Sequence, residues 1–213
     1  MVGVIVLDID ETLAHTKLEI NELIDSGLFK SSEYISLKRR LYALDFYRKS
    51  GKIKRTMWGI KRPYIDDFLD FCFRTFDKVI VWSAGSKDYV DKMVKILFMD
   101  AGHPPPHHVF SYLDCKEMED GDRVKPIMFL YALEPSLQRI PLDHFIMLDN
   151  KESNFMYNVE NGLVIEDYIP NATIDDLLTD DQHLLYAIDH LKIKVNDIIR
   201  TSGIRYSPTR MHR

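Results

Sequence analysis

Two acidic residues, Asp8 and Asp10, directly follow an apolar run near the start of the chain. The run, Val4–Leu7, is rich in β-branched residues and lacks polar alternation, which is typical of a strand buried on both faces of a parallel sheet. Ligands bind beyond the carboxyl ends of such strands, and residues two apart on an extended chain point the same way. The pair therefore predicts a site that needs a cation, a lysine or a shared proton. Taken alone, two surface acids at a strand end explain it equally well.

Further polar residues stand at the ends of other predicted strands. Ser83 follows the second strand, Asp149 and Asn150 follow the fourth, and Lys125 begins a helix between them. In a parallel sheet these ends meet at one edge. Carboxylate and amide oxygens suit Mg²⁺ better than Zn²⁺, and a lysine with a hydroxyl beside magnesium can bind a phosphate. The pattern thus indicates a phosphate site without a glycine-rich phosphate loop.

Strands and helices alternate along the chain, which predicts an α/β protein with a central parallel sheet and helices on both faces. The predicted strands lie at residues 2–7, 79–82, 109–110, 144–148 and 163–165. Amphipathic patterns predict helices that begin at Pro63, after Ser86, at Lys125 and near Asp181. Proline suits the first position of a helix, so Pro63 is predicted to occupy it.

Residues 38–62 form a basic segment with ten Lys or Arg residues and one acidic residue, Asp45. Two β-like runs, 41–47 and 53–58, flank a Ser-Gly turn signal, which favours a β-hairpin. A helix over 33–47 is an alternative. The charge is consistent with a solvated face, but in an acidic protein it also suggests a landing surface for an anionic partner.

Composition narrows the class of protein. The 213 residues are 46% apolar, which is enough for one core, and the net charge of −5 gives no general signal for nucleic-acid binding. The two cysteines, Cys72 and Cys115, lack paired spacing, so we expect reduced thiols and an intracellular location, cytoplasmic or nuclear. No basic leader precedes the first strand and no apolar run approaches about 20 residues, so we expect neither a signal peptide nor a membrane partner.

Five segments, in order along the chain, resemble motifs of the haloacid-dehalogenase superfamily. They are most similar to its FCP/SCP-like branch, the small phosphatases of the RNA polymerase II C-terminal domain, also described as NLI-interacting-factor-like. The segments are 7–16, 61–69, 81–91, 124–125 and 148–150. The resemblance implies a Rossmann-like fold in a single domain, 1–203, with a small β-rich insertion at about 14–60 and a basic tail at 204–213.

The resemblance also implies a function, that of a Mg²⁺-dependent phosphoprotein serine/threonine phosphatase acting through an aspartyl-phosphate intermediate. Asp8 would be the nucleophile, Asp10 the general acid and base, and Thr12 would fix their loop. Magnesium would be held by the Asp8 side chain, the Asp10 carbonyl and Asn150, with Asp149 nearby. The groups implied to bind the phosphate oxygens are those of Ser83, Ala84 and Lys125.

Three positions depart from the branch. Its second-motif threonine is Ser83 here, its substrate-contacting arginine has no counterpart in 112–115, and its aromatic pocket residue falls near Leu18. The implied substrate, a phosphorylated protein such as the RNA polymerase II C-terminal domain, is therefore less strongly indicated than the catalytic chemistry.

The basic segment offers a substitute for the missing arginine. We expect Lys52, Lys54 and Arg55 to contribute to substrate binding by attracting a phosphopeptide. Two other functions remain open. One is a phosphatase for polynucleotide ends, nucleotides or small phosphometabolites, and the other is a non-catalytic module whose basic segment binds nucleic acid or an acidic tail.

Overall fold

The computed structural model describes residues 2–48, 50–119 and 121–202, so the predicted tail at 204–213 lies outside the described residues. The strands are β1 (Val4–Leu7), β2 (Ala14–Leu18), β3 (Leu41–Tyr47), β4 (Ile53–Lys61), β5 (Lys78–Trp82), β6 (His108–Phe110), β7 (Lys116–Glu117), β8 (Arg123–Val124), β9 (Phe145–Asp149) and β10 (Gly162–Val164). The α-helices are α1 (Ile20–Asp25), α2 (Tyr34–Leu37), α3 (Ile65–Thr75), α4 (Lys87–Val94), α5 (Ile127–Leu133), α6 (Ile174–Leu178) and α7 (His183–Ser202).

A parallel sheet with the strand order β10-β9-β1-β5-β6 forms the centre of the described chain. β1 lies in the middle, where Leu7 is opposite Val81 of β5 and Leu148 of β9. With this register the three central strands end at the same level, so the residues that follow them share one edge. The predicted parallel sheet is confirmed.

Burial on both faces explains the unbroken apolar sequence of β1. Ile5 and Leu7 belong to a core that includes residues of α3, α4 and α7. Val4 and Val6 point the other way, into a second core with residues of α5. Helices therefore cover both faces of the sheet, and the predicted α/β fold class is confirmed.

Helix α3 begins at Ile65, so the prediction that Pro63 takes the first helical position is wrong. Tyr64 separates them with a φ of 62°, in the left-handed region. The backbone N–H of Arg62 still pairs with the Leu13 carbonyl at 2.9 Å, so the chain must turn sharply before the helix can start. The left-handed residue supplies that turn, at a cost that the surrounding contacts offset.

The insertion is a second, antiparallel sheet with the strand order β2-β4-β3. The predicted hairpin is confirmed, and the alternative helix over 33–47 is limited to the short α2. Strand β2 was not predicted, because its sequence is mostly polar and its partner lies far along the chain, with Ala14 opposite Lys61. Gly59 is required in β4, since a Cβ there would lie 2.5 Å from both the His15 carbonyl and the Tyr42 ring.

The two sheets share one apolar core. Tyr42 and Leu44 of β3 pack in the cluster that also contains Leu7 of β1 and Val90 of α4. Because this contact is continuous, we propose that residues 1–203 form one domain, with the antiparallel sheet as its insertion at about 14–60.

Candidate active site

Residues that follow β1, β5 and β9 meet at the carboxyl edge of the parallel sheet. They open into a cavity of about 580 Å³. The cavity is lined by Asp8, Asp10, Glu11, Thr16, Lys17, Phe46, Lys54, Arg55, Met57, Ala84, Gly85, Ser86, Tyr89, Arg123, Lys125, Asp149, Asn150, Lys151 and Asn154. Side chains of the insertion form one wall, so the site is built jointly by both sheets.

Lys125 joins two buried carboxylates at the base of the pocket. Its Nζ donates to Asp8 Oδ1 and, at 2.6 Å, to Asp149 Oδ2. All three residues are at most 6% exposed. Asp149 is held further by the Asn154 amide at 2.8 Å and by the backbone N–H of Lys151 at 2.9 Å. Both Asp149 oxygens are thus committed to protein donors, and Asp149 positions the lysine.

The electrostatics of this cluster follow from burial and from excess negative charge. Burial, together with the Asp149 charge, raises the pKa of Asp8 to about 7, although Lys125 opposes the shift. Burial lowers the pKa of Lys125, but the two carboxylates outweigh this and raise it above its ordinary value. Lys125 therefore stays protonated as an ammonium. Additional positive charge near Asp8 would favour its ionised carboxylate form.

Asp10 is held by two hydroxyl groups from outside its own loop. Its Oδ1 accepts a hydrogen bond from the Tyr89 hydroxyl, and its Oδ2 accepts one from Ser83 Oγ at 3.3 Å. Ser83 in turn accepts the backbone N–H of Gly85 at 3.0 Å. Burial raises the pKa of the Asp10 carboxyl, although the Tyr89 hydrogen bond opposes this. Such a raised pKa suits a group that must give up a proton.

The loop after β1 is tied to the end of β9 through Thr12. Thr12 Oγ1 accepts the backbone N–H of Asn150 at 3.2 Å and lies 3.4 Å from Asn150 Oδ1. The Asn150 amide donates to Asp167 at 2.8 Å, which orients its oxygen toward the loop. Glu11 takes a φ of 58°, in the left-handed region, so the chain turns sharply directly after Asp10.

Arg62 holds the loop after β1 in place. The sequence did not indicate this role. Arg62 is fully buried and donates to the Thr12 carbonyl at 3.1 Å. Its other donors form a bidentate pair with Asp181 at 2.9 and 3.0 Å, just before α7. The segment 61–69 stands out in the sequence only as a motif, and nothing local indicates a partner more than a hundred residues away.

Two of the three basic residues expected to bind substrate line the pocket. Lys54 and Arg55 line the pocket, whereas Lys52 is exposed in the hairpin turn and is not part of the lining. A further cation was missed: Arg123 also lines the pocket, and its guanidinium lies 3.8 Å from the ring centre of Tyr112. The sequence has no arginine in 112–115, and Arg123 reaches that loop from β8.

The base of the pocket offers oxygen donors to a hard cation. Asp8 and Asp149 share the ammonium of Lys125, and the side-chain donors to Asp10 are uncharged hydroxyl groups, so a divalent ion would offset the excess negative charge of these three carboxylates. Within the described residues, no group of three or more His, Cys, Asp or Glu side chains is arranged as a metal site. A ligand set at this edge therefore needs a backbone carbonyl or Asn150 in addition, and the residues present fit Mg²⁺ on those terms.

Asp8, Asp10, Lys125 and the Asp149–Asn150 pair line one pocket at the carboxyl edge of a parallel sheet, which is the arrangement that the resemblance to haloacid dehalogenases led us to expect. Residues 3–198 match the NLI interacting factor-like phosphatase family, so the chain belongs to that family. The resemblance to the FCP/SCP-like branch is thereby confirmed.

Curated relatives are similar over most of this chain. Nuclear envelope morphology protein 1 of Saccharomyces cerevisiae is 26% identical over 178 residues, which are 82% of this chain and 36% of the relative. A probable C-terminal domain small phosphatase of Dictyostelium discoideum is 25% identical over 197 residues, 91% of this chain and 52% of the relative. The chain thus spans about half or less of the length of these relatives.

Solved structures show the same fold. The structure of Fcp1, an essential RNA polymerase II CTD phosphatase, superimposes with a TM-score of 0.59 at 14% identity, over 97% of this chain and 55% of that one.

Within residues 2–48, 50–119 and 121–202, no helix has the length and apolar character needed to cross a bilayer.

Proposed function

We propose that this chain is a Mg²⁺-dependent phosphatase that removes phosphate from serine or threonine side chains of proteins through an aspartyl-phosphate intermediate. One observation supports this most strongly. A lysine-bridged carboxylate, Asp8, shares the pocket with a second carboxylate, Asp10, which has different partners and a different environment. Two neighbouring carboxyl groups with distinct surroundings suit distinct roles, one as nucleophile and one as acid and base.

Asp8 attacks phosphorus in the first step. Its carboxylate lies at the end of a rigid, fully buried strand, which keeps the attacking oxygen in place. The bond between phosphorus and the serine or threonine oxygen breaks as the Asp8–phosphorus bond forms. Asp10 gives its proton to the leaving oxygen and then takes a proton from the water that hydrolyses the intermediate.

Lys125, Ser83 and the backbone around Ala84 bind the non-bridging phosphate oxygens. Lys125 keeps its charge because two carboxylates flank it, and Ser83 Oγ lies at the same edge beside Asp10. Donors held in place before the reaction stabilise the charge of the transition state without reorganisation.

Mg²⁺ would be held by the Asp8 side chain, the Asp10 carbonyl and Asn150, with Asp149 behind them. When bound, it supplies positive charge that offsets the negative charge of the phosphate and of these carboxylates. The hydrogen bonds of Thr12 to Asn150 support this part of the site, since they fix a ligand relative to the nucleophile loop.

A phosphorylated protein segment is the substrate class that we favour. Lys54 and Arg55 of β4 and Arg123 of β8 all line the pocket, so a peptide bound in it would meet cations from two separate elements. The names of the relatives suggest the RNA polymerase II C-terminal domain as one such partner. Nucleic acid is a second candidate partner of the same basic surface. We propose an intracellular location, in the cytoplasm or nucleus.

The test is a substrate panel with Mg²⁺ and with EDTA. We expect hydrolysis of phosphoserine and phosphothreonine peptides with Mg²⁺, its loss with EDTA, and recovery when Mg²⁺ is restored. Asp8→Asn should abolish turnover while the circular dichroism spectrum and melting temperature stay close to those of the unchanged protein. Undiminished hydrolysis by Asp8→Asn would reject the nucleophile.

The same panel separates the other functions. Faster hydrolysis of phosphorylated DNA ends, nucleotides or sugar phosphates than of peptides would replace the protein substrate with a small-molecule or polynucleotide one. Steeply salt-dependent binding without hydrolysis of any phosphate ester would indicate a binding module.

A further inference from the structure

A row of buried hydroxyl groups reaches Asp10 from the insertion. The Tyr89 hydroxyl donates to Asp10 Oδ1 and lies 2.7 Å from Thr16 Oγ1. Thr16 Oγ1 is 2.8 Å from the Tyr42 hydroxyl, which also approaches the His15 carbonyl at 3.4 Å. All three hydroxyl-bearing residues are at most 8% exposed. They come from α4, β2 and β3, so the row links the antiparallel sheet to helix α4 and to Asp10.

The direction of the hydrogen bonds follows from counting protons, since each hydroxyl has one proton to donate. Tyr89 gives its proton to Asp10, so Tyr89 must accept from Thr16. Thr16 has then used its own proton, so the Tyr42 hydroxyl donates to it at 2.8 Å, a shorter contact than the 3.4 Å to its other acceptor, the His15 carbonyl. All three hydroxyls therefore donate toward Asp10, and hydrogen bonds in such a row strengthen one another in a poorly solvated interior.

We propose that Tyr89 is a positioning residue for Asp10, held in place by Thr16 and Tyr42. This inference rests on the proposed phosphatase function. Oδ1 of Asp10 accepts the Tyr89 proton whether the carboxyl group is ionised or carries a proton on Oδ2. Among the described residues Oδ2 has only the longer contact with Ser83 Oγ, at 3.3 Å, and we assign to Oδ2 the exchange of a proton with the substrate.

The step that depends on this arrangement is the breaking of the phosphate ester. An Asp8 oxygen forms a bond to phosphorus, and the electron pair of the phosphorus–serine bond stays on the serine oxygen. That oxygen takes the proton from Asp10 Oδ2, which leaves Asp10 as a carboxylate. If Tyr89 no longer holds Oδ1, the carboxyl group can rotate, and the proton is delivered less often along the required direction.

Substrates with different leaving groups test this role. An alkoxide such as that of serine needs the proton, whereas p-nitrophenolate leaves readily without it. We therefore expect Tyr89→Phe to lower kcat/KM for a phosphoserine peptide about 10-fold more than kcat/KM for p-nitrophenyl phosphate. The parameter kcat/KM is used because it reports formation of the phosphoenzyme, a step in which the two substrates differ. An equal loss for both substrates would overturn the proposal.

Matched variants separate positioning from folding. The ratio compared is kcat/KM for the phosphoserine peptide divided by kcat/KM for p-nitrophenyl phosphate. Thr16→Val removes the middle hydroxyl and should lower this ratio. Thr16→Ser keeps the hydroxyl and should leave the ratio close to that of the unchanged protein. Tyr131→Phe removes a tyrosine hydroxyl bonded to the Ile140 carbonyl, away from the pocket lining, and should leave the ratio unchanged. Melting temperatures show whether each variant is folded.

The failure of this inference differs from the failure of the proposed function. Unchanged protein that hydrolyses neither ester with Mg²⁺ rejects the phosphatase function, and the inference falls with it. Active unchanged protein whose ratio is insensitive to both Tyr89→Phe and Thr16→Val rejects the positioning role alone.

Discussion

Replacing Arg62 with methionine should lower the free energy of unfolding by about 3–5 kcal/mol, the usual cost of removing one partner from a buried ion pair. Methionine keeps most of the length and apolar volume of the side chain but none of its donors. Arg62 is fully buried and the side chain of Asp181 is only 12% exposed, so the substitution leaves a poorly hydrated carboxylate without its partner.

The magnitude follows from the hydrogen bonds that the Arg62 guanidinium makes. Two of them go to Asp181, at 2.9 and 3.0 Å, one goes to the Thr12 carbonyl at 3.1 Å, and a longer one goes to the Glu11 carbonyl at 3.5 Å. The guanidinium also lies 5.4 Å from the ring centre of Tyr168. Each charged hydrogen bond contributes about 1.5–3 kcal/mol, but these bonds share one group and are not additive, which brings the expected loss of stability to the range given.

Urea unfolding followed by circular dichroism measures this loss. Lys87→Met is the matched control, because the Lys87–Asp91 ion pair has side chains that are 73% and 51% exposed. Solvent screens such a pair, and its removal should cost about 0–1 kcal/mol. If the two methionine variants lose the same stability, the reasoning about burial is refuted.

The pH dependence gives a second check on the same pair. Burial raises the pKa of Asp181, but the hydrogen bonds and charge of Arg62 outweigh this and leave it below the ordinary value. A depressed pKa contributes stability above the unfolded value of about 3.9, and this contribution is lost as the pH falls toward the folded pKa. In Arg62→Met burial is no longer opposed by the guanidinium, so the pKa of Asp181 lies above its ordinary value in the variant. The stability difference between the unchanged protein and Arg62→Met should therefore begin to shrink above about pH 4 and continue to shrink as the pH falls toward the depressed pKa of the unchanged protein.

Two further predictions concern the pocket. Replacing Lys54 and Arg55 with alanine should raise KM for an acidic phosphopeptide several-fold more than KM for p-nitrophenyl phosphate, because both residues line the pocket. Lys52→Ala is the control, since Lys52 is not part of the lining. If all three substitutions have equal effects, the basic residues act only through the net charge of the protein. Thr12→Val should raise the Mg²⁺ concentration needed for half-maximal activity about 10-fold, since it removes the hydrogen bonds to Asn150. Thr12→Ser keeps the hydroxyl and should leave this concentration unchanged. An unchanged Mg²⁺ dependence in Thr12→Val would contradict the proposed ligand set.

The central sheet was predictable from the sequence because its signals are local. A strand buried on both faces needs a continuous apolar run, and Val4–Leu7 shows one before any partner is known. The order of strands and helices then requires Asp8, Ser83 and Asp149 to share an edge, since parallel strands present the same end to the same side. The predicted hairpin was equally local, with two β-like runs around a turn.

The tertiary structure alone decided which side chains support the site. Strand β2 and the bidentate partner of Arg62 depend on pairings between residues 40 or more positions apart, for which the local sequence carries no periodic signal. Arg123 faces the pocket because β8 pairs back on β7. The row of hydrogen-bonded hydroxyl groups from Tyr42 to Asp10 forms only after the antiparallel sheet and α4 have packed against the loop that follows β1.

What the sequence determined, then, is the set of groups at the sheet edge, because residue type and strand order are written along the chain. What the folded structure decided is how those groups are held and charged. Hydrogen-bond direction, desolvation and the pairing of Lys125 with both Asp8 and Asp149 depend on distances and burial, and these exist only once distant segments have packed together.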